Sequence, residues 1–272
     1  MLRVRHRGPS PEVRRNRRIA TVLVIVVLAA VIVAAFLVFS PRSGGGEAMP
    51  TPAPTPSATR PPSPEPEPTP TFDMNLYSID DPTSLWVVVN KRRPLQPQDY
   101  VPPDLVDVPV EYVYAPQLRA EASGKVVEMF AAYQAETGRQ MQSQSAYRSY
   151  GTQVDVYNGW VSSLGQEAAD LTSARPGHSE HQTGLAIDIS SVPAVCAVEM
   201  CFRDTPEAAW LAANSWKYGF IVRYPEGKTE ITGYEYEPYH FRYVGIELAT
   251  EMHDTGIQTL EEFFGLPAAP TY

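Results

Sequence analysis

Histidine and cysteine are scarce in this chain of 272 residues, with five of one and two of the other. Two cysteines alone make a poor metal site. Cys196 and Cys201 are separated by four residues, and in an exported region they read as a small-loop disulfide. Positive charge is also short: Lys and Arg total 22 against 31 Asp and Glu, a formal net charge of −9. Residues 1–18 hold seven Arg and one Glu, and residues 40–72 carry a net −1, which leaves about −14 on the remainder. That sign excludes nucleic acid as a partner, because a nucleic-acid face is basic. It also aids solubility. No internal repeat, no helical H-E-x-x-H pair and no nucleophile elbow is present. Without such an elbow, a Ser179–His181–Asp188 triad is disfavoured.

Long apolar runs are limited to one, "IATVLVIVVLAAVIVAAFLVF" at residues 19–39, broken only by Thr21. At ~1.5 Å per helical residue it spans roughly 30 Å, the thickness of bilayer hydrocarbon. Nothing polar marks an outward face, which disfavours a buried core helix. The arginine-rich tail 1–18 predicts a cytoplasmic N-terminus and export of the chain beyond the apolar run. A cleavable signal peptide has a shorter apolar stretch, ~7–15 residues, so an uncleaved signal anchor is expected. Residues 40–72 then carry eleven prolines between Pro41 and Pro70. Proline fixes φ and removes donors, so this segment reads as an extended, polyproline-like linker. The expected domains are a basic tail (1–18), a transmembrane anchor (19–39), an extracytoplasmic linker (40–72) and one globular domain (73–272) facing the cell wall.

In that domain, "SLWVVVN" at 84–90 predicts a strand. Residues 118–138 predict a helix, with Val126, Met129, Phe130 and Tyr133 at helical spacing and Gly138 as its stop. Further helices are expected at 150–165, 205–217 and 245–254, the last taken as final. In the second of these, Thr205 is the N-cap and Pro206 the first helical residue. Short strands are expected at 140–149, 185–190, 218–224 and 240–245. The mixture lacks a βαβ rhythm, which favours α+β with an antiparallel sheet.

Two of the five histidines stand in "HSEHQTGLAID", residues 178–188. With 185–190 as a strand, Leu185, Ile187 and Ile189 point to the core and Asp188 faces the other way. Gly184 lets the chain turn sharply, so His181 can fold back to Asp188. A catalytic zinc takes about three protein ligands and leaves a position for water. His240, in "YEYEPYHFRYVG", is the candidate third ligand. Pro238 invites a bend that would carry Glu237 to the water as general base. His178 is an alternative to His181, although a supporting role suits it better. Arg148, in "SAYRSYGTQ", is the candidate for stabilising an oxyanion or holding a substrate carboxylate. His253 reads as structural, and His6 lies in the basic tail.

The stretches "SEHQTGLAID", "SAYRSYGTQ", "YGFIVRYPEGKTEITGYEYEPYHFRYVG" and "LWVVVNKRRPLQPQDYVPPDLV", which lie within residues 84–264, together resemble the VanY-type D-alanyl-D-alanine carboxypeptidases. These belong to the LAS group of zinc peptidases, class M15. The resemblance implies Zn2+ held by His181, Asp188 and His240, with Glu237 as base and Arg148 binding substrate. It implies pocket positions for Gln153 and Ser179. It also implies an α+β fold with a small antiparallel sheet flanked by helices, and peptidoglycan stem peptides as substrates. The family usually has tryptophan where Tyr239 stands, which touches pocket shape more than the metal. A peptidoglycan endopeptidase of the same fold and a non-catalytic wall-binding module are the competing readings.

Overall fold

The protein is described from a computed structural model over residues 72–272. The expected basic tail, anchor and nearly all of the linker lie outside the described residues. Among the described residues, no helix is long and apolar enough to cross a membrane.

The fold is α+β. Strands β1 (Leu105–Asp107) and β2 (Gln117–Arg119) form an antiparallel pair that leads into helix α1 (Ala120–Thr137). Ala122, Val126, Met129, Phe130 and Tyr133 make one buried stripe along α1. The helix stops where Gly138 takes φ 71° and its N–H returns to the Gln134 carbonyl. Strand β3 (Met141–Ser145) follows, then α2 (Tyr150–Leu164), capped by the Ser149 side chain accepting from the Thr152 N–H. The short α3 (Gln166–Thr172) precedes β4 (Ala186–Ser191). Helix α4 (Pro206–Asn214) has Thr205 as N-cap and Pro206 in its first turn. Strand β5 (Phe220–Val222), α5 (Thr229–Thr232), β6 (His240–Tyr243), α6 (Ile246–Thr255) and α7 (Leu260–Phe263) complete the order. Residues 245–254 therefore do not hold the last helix. Another turn forms at α7, capped by Thr259 accepting from the Glu262 N–H.

The main sheet has the order β3-β4-β6-β5, antiparallel throughout. Every residue of β4 is buried. A central strand covered on both faces cannot show the polar-out alternation, so Ala186, Asp188 and Ser190 are as enclosed as Ile187 and Ile189.

Residues 84–90 are not a strand. Leu85 to Asn90 are all buried, yet the segment has only one isolated bridge, Asn90 to Arg93. Side chains take the place of a ladder. Arg242 donates to the carbonyls of Leu85 (3.0 Å) and Val87 (2.8 Å), and Arg93 Nε to Val88 O (3.1 Å). A buried apolar run needs its carbonyls satisfied, and guanidinium groups do it as well as a neighbouring strand. Phe72 packs on Trp86 against the same core, and the exposed Tyr77 covers the Trp86 ring edge-on.

Candidate metal centre and its cleft

Register across the sheet sets the site. Ser145 on β3 is level with Asp188 on β4, and Asp188 is level with His240 on β6. Three adjacent strands thus present a hydroxyl, a carboxylate and an imidazole in one row. His181 comes from outside the sheet, on a 3-10 turn (Glu180–Thr183) that ends at Gly184 with φ 66°. That left-handed residue reverses the chain so that His181 returns over β4. A Cβ at 184 would also stand 2.8 Å from the Leu105 side chain, so glycine is required twice over.

The donor atoms converge. His181 Nε2 lies 3.2 Å from Asp188 Oδ2, and His240 Nδ1 lies 3.0 Å from Asp188 Oδ1. One donor atom from each of His181, Asp188 and His240 falls within 4.8 Å of the others, and all three residues are buried. Of the remaining ring nitrogens, one is hydrogen-bonded and the other faces a carboxylate. His181 Nδ1 is 2.7 Å from the Ala146 carbonyl and must donate to it, which leaves the Nε2 lone pair free. His240 Nε2 faces Glu180 Oε2 at 3.6 Å, which leaves Nδ1 turned toward Asp188. Ser145 Oγ donates to Asp188 Oδ2 at 2.5 Å. His181 is thus oriented through its second nitrogen by a hydrogen bond, and His240 by the charge of Glu180, as suits a metal-binding pair.

Pro238 occupies a turn in which the His240 N–H returns to the Glu237 carbonyl at 3.2 Å. The turn brings Glu237 Oε2 within 3.8 Å of His240 Nδ1, beside the donor set. Arg148 sits just past β3, in the same cleft as Glu237, and its guanidinium is fixed from behind. It donates to Gln153 Oε1 (2.9 Å), while Gln153 donates in turn to the Ala174 carbonyl (2.6 Å). Gln153 is fully buried, so it positions Arg148 without itself reaching the cleft surface. Ser179 lines the cleft. His178 does not: its Nδ1 meets the Asn90 carbonyl at 2.8 Å, and its ring packs edge-on against Tyr272. His253 stacks on Trp216 in a separate cavity. Cys196 and Cys201, beside Glu199, are closed as a disulfide with Cα atoms 5.5 Å apart, so they offer no thiolate to a metal.

Sequence reasoning missed Glu180. It is fully buried and accepts from Arg223 Nε and Arg242 Nη1, both at 2.8 Å. Burial alone would raise its pKa, but Arg242 and Arg223 overcome that and hold it well below the carboxylate range. For Asp188, burial also pushes upward, and His181 and His240 bring it well down. Burial lowers His181. His240 is the opposite case: burial works against its charge, yet Asp188 and Glu180 raise it to about 10. The environment of Nδ1 therefore favours a positive charge, which a divalent cation supplies equally well. With two imidazoles, one carboxylate and this field, the residues fit a zinc ion. Burial, with His240 opposing and Asp188 adding, pushes the Glu237 carboxyl up to about 8, and a cation held beside it would draw that down toward the neutral range of a general base.

The family model for VanY, D-alanyl-D-alanine carboxypeptidase, matches residues 115–246, which contain every cleft residue named above. YodJ of Bacillus subtilis (strain 168), a putative carboxypeptidase by name, is 41% identical over 194 residues, covering 70% of either chain. The chain belongs to the VanY family of D-alanyl-D-alanine carboxypeptidases. It is accordingly an enzyme of the zinc-dependent peptidase class. The LdcB LD-carboxypeptidase structure shares 41% identity at a TM-score of 0.62, covering 68% of this chain and 87% of that one. A VanY structure from a VanB-type resistance cassette, in complex with Zn(II), shares 34% identity at 0.54, covering 66% and 98%. VanYB in complex with D-alanine-D-alanine shares 32% at 0.56, covering 67% and 97%.

Proposed function

We propose that this VanY-family chain is a membrane-anchored zinc D,D-carboxypeptidase that removes the terminal D-alanine from peptidoglycan stem peptides. The observation that carries the reading is the convergence of His181 Nε2, Asp188 and His240 Nδ1, with the Glu237 carboxylate alongside and Arg148 in the same cleft. His181, Asp188 and His240 would hold the ion. When bound, it acidifies water and polarises the scissile carbonyl. Glu237 takes the proton as water oxygen bonds to the carbonyl carbon, then passes it to the departing amine as the C–N bond breaks. Arg148 receives the free carboxylate of the terminal residue, its fork held in place by Gln153 and Ser145. Such a cation suits a chain end, whereas cleavage inside a stem or cross-bridge has no terminal carboxylate for it. Anchoring is carried by the apolar segment 19–39 and the arginines before it.

The likeness to LdcB and to the L,D-carboxypeptidase DacB, at 41% and 38% identity, favours a second reading. In it the same site removes a single D-alanine that follows an L-configured centre. Mass spectrometry of products from a defined pentapeptide and a defined tetrapeptide, with and without zinc, decides. The first reading requires one alanine released from the pentapeptide and none from the tetrapeptide. Glu237→Gln should retain zinc and lose activity by ~10²–10⁴-fold. A Glu237→Gln protein that turns over like the parent overturns the assigned base.

A further inference from the structure

One wall of the cleft comes from outside the sheet and its metal-facing row. After β4 the chain leaves the core, forms the disulfide-closed segment 196–201, and returns at Phe202, which is fully buried. Val198, inside that closed segment, lines the cleft. It has φ 55°, and Cys196 has φ 52°. A β-branched residue in the left-handed region is a strained exception that local sequence does not favour. Something must hold it there, and the disulfide that brackets it is one restraint, beside the Glu199 N–H returned to the Cys196 carbonyl at 3.3 Å. From the other side of the chain, α2 brings Val156 and Trp160 to the same cleft. With Gln153 they occupy positions i, i+3 and i+7, one stripe of the helix. Neither joins the hydrophobic core, and Trp160 and Val198 are 40% and 42% exposed. These apolar groups are therefore aimed at the cleft and not at the interior.

We propose that Val156, Trp160 and Val198 form an apolar subsite for the methylene chain of the stem's diamino-acid residue, and that the Cys196–Cys201 bridge is its positioning element. The inference rests on the carboxypeptidase reading above. Arg148 and the donor row take the terminal carboxylate and the scissile bond, and both alanine side chains are single methyl groups. The next residue back is the first whose side chain is long enough to need an apolar wall. A removed methyl or methylene contact of this kind changes selectivity by ~10–200-fold.

The test compares kcat/KM for a stem pentapeptide with that for acetyl-D-Ala-D-Ala, which lacks the diamino acid. Val198→Ala and Trp160→Ala should each lower the ratio of the two about tenfold, chiefly through KM on the pentapeptide. Val198→Ile should keep it. Opening the bridge, by Cys196→Ser with Cys201→Ser or by a phosphine reductant that does not bind zinc, should lower the ratio likewise. Calorimetric affinity of the pentapeptide for a Glu237→Gln background should fall in step. Thermal midpoints and zinc content, measured on every variant, separate a lost subsite from a lost fold. An unchanged ratio in Val198→Ala and Trp160→Ala, with folded, zinc-loaded protein, overturns the subsite. An unchanged ratio on opening the bridge overturns its positioning role. A parent enzyme that releases no alanine from either substrate overturns the underlying reading, and the subsite with it.

Discussion

Glu180 stands next to His181 in the chain but serves the other histidine. Its Oε1 is taken by Arg223 and Arg242, and its Oε2, without a hydrogen-bond partner, faces His240 Nε2 at 3.6 Å. Neutralising it removes the negative charge that favours the His240 ring turned with Nε2 toward it and Nδ1 toward Asp188. Glu180→Gln is expected to weaken zinc affinity by ~10–100-fold, as loss of an orienting partner does. It should also destabilise the fold by roughly 3–5 kcal/mol, because two buried guanidiniums lose their shared anion. Competition with a chromophoric chelator and denaturant unfolding measure the two effects. Unchanged affinity would show that β6 alone orients His240. The convergence of His181, Asp188 and His240 was legible in the sequence, because a glycine and a proline mark the two bends that produce it. Glu180 was not, although it lies in the same stretch. A glutamate on a polar turn looks solvent-exposed until Arg223 and Arg242, more than forty residues away, are folded over it.

At the level of elements, the same ion cluster ties four pieces together. Arg223, at the end of β5, pairs with Glu261 of α7 as well as with Glu180 on the 3-10 turn, and Asn90 adds a bond to Glu261. For Glu261, burial works against ionisation, but Arg223 and Asn90 lower its pKa from the usual 4.5. A carboxyl depressed in the folded state stabilises above its unfolded pKa, and the stabilisation is lost as pH falls through the folded value. The Glu261 contribution to the unfolding free energy should therefore be flat with pH above about 5 and decline below about 4.5, so that the acid limb is shallower in Glu261→Gln. Urea titrations from about pH 3 to 7 would read both slopes, and identical slopes would remove Glu261 as a contributor. The turn before β4 offers a steric counterpart. At Gly184, alanine would meet φ 66° and the Leu105 and Arg119 side chains at 2.8 and 3.1 Å. Gly184→Ala should cost more than ~1 kcal/mol and displace His181; denaturant unfolding and zinc titration of that variant read both consequences. Most elements were legible where periodicity or caps marked them, as in α1 with its stripe and Gly138, or α4 with Thr205 and Pro206. Residues 84–90 misled because β-branched composition reports burial on an extended path, not the identity of the hydrogen-bonding partner. The guanidinium of Arg242, supplied from the far end of the chain, has no local signature.

For the whole molecule, the question is what residues 1–71 add to a cleft whose assigned residues all lie within 72–272. Every residue assigned to ligation, proton transfer or substrate binding lies between Arg148 and His240. Phe72, the first described residue, is packed against Trp86 and Phe263. Turnover of a soluble stem peptide should then be the same for the full chain and for residues 72–272 alone. On the proposed anchoring, the proline-rich segment 40–72 would enter only through reach. An extended polyproline segment of this length covers roughly 100 Å at ~3.1 Å per residue. A substrate held in a wall at a distance from the membrane is accessible only within that radius. Deleting residues 50–66 from the full chain removes about half of the reach. It should leave the rate on soluble peptide unchanged and lower D-alanine release from the native wall of intact cells, with a longer proline-rich insert restoring it. Release from the wall that is indifferent to linker length would mean that reach does not limit the enzyme, and the tether's role would reduce to retention at the membrane.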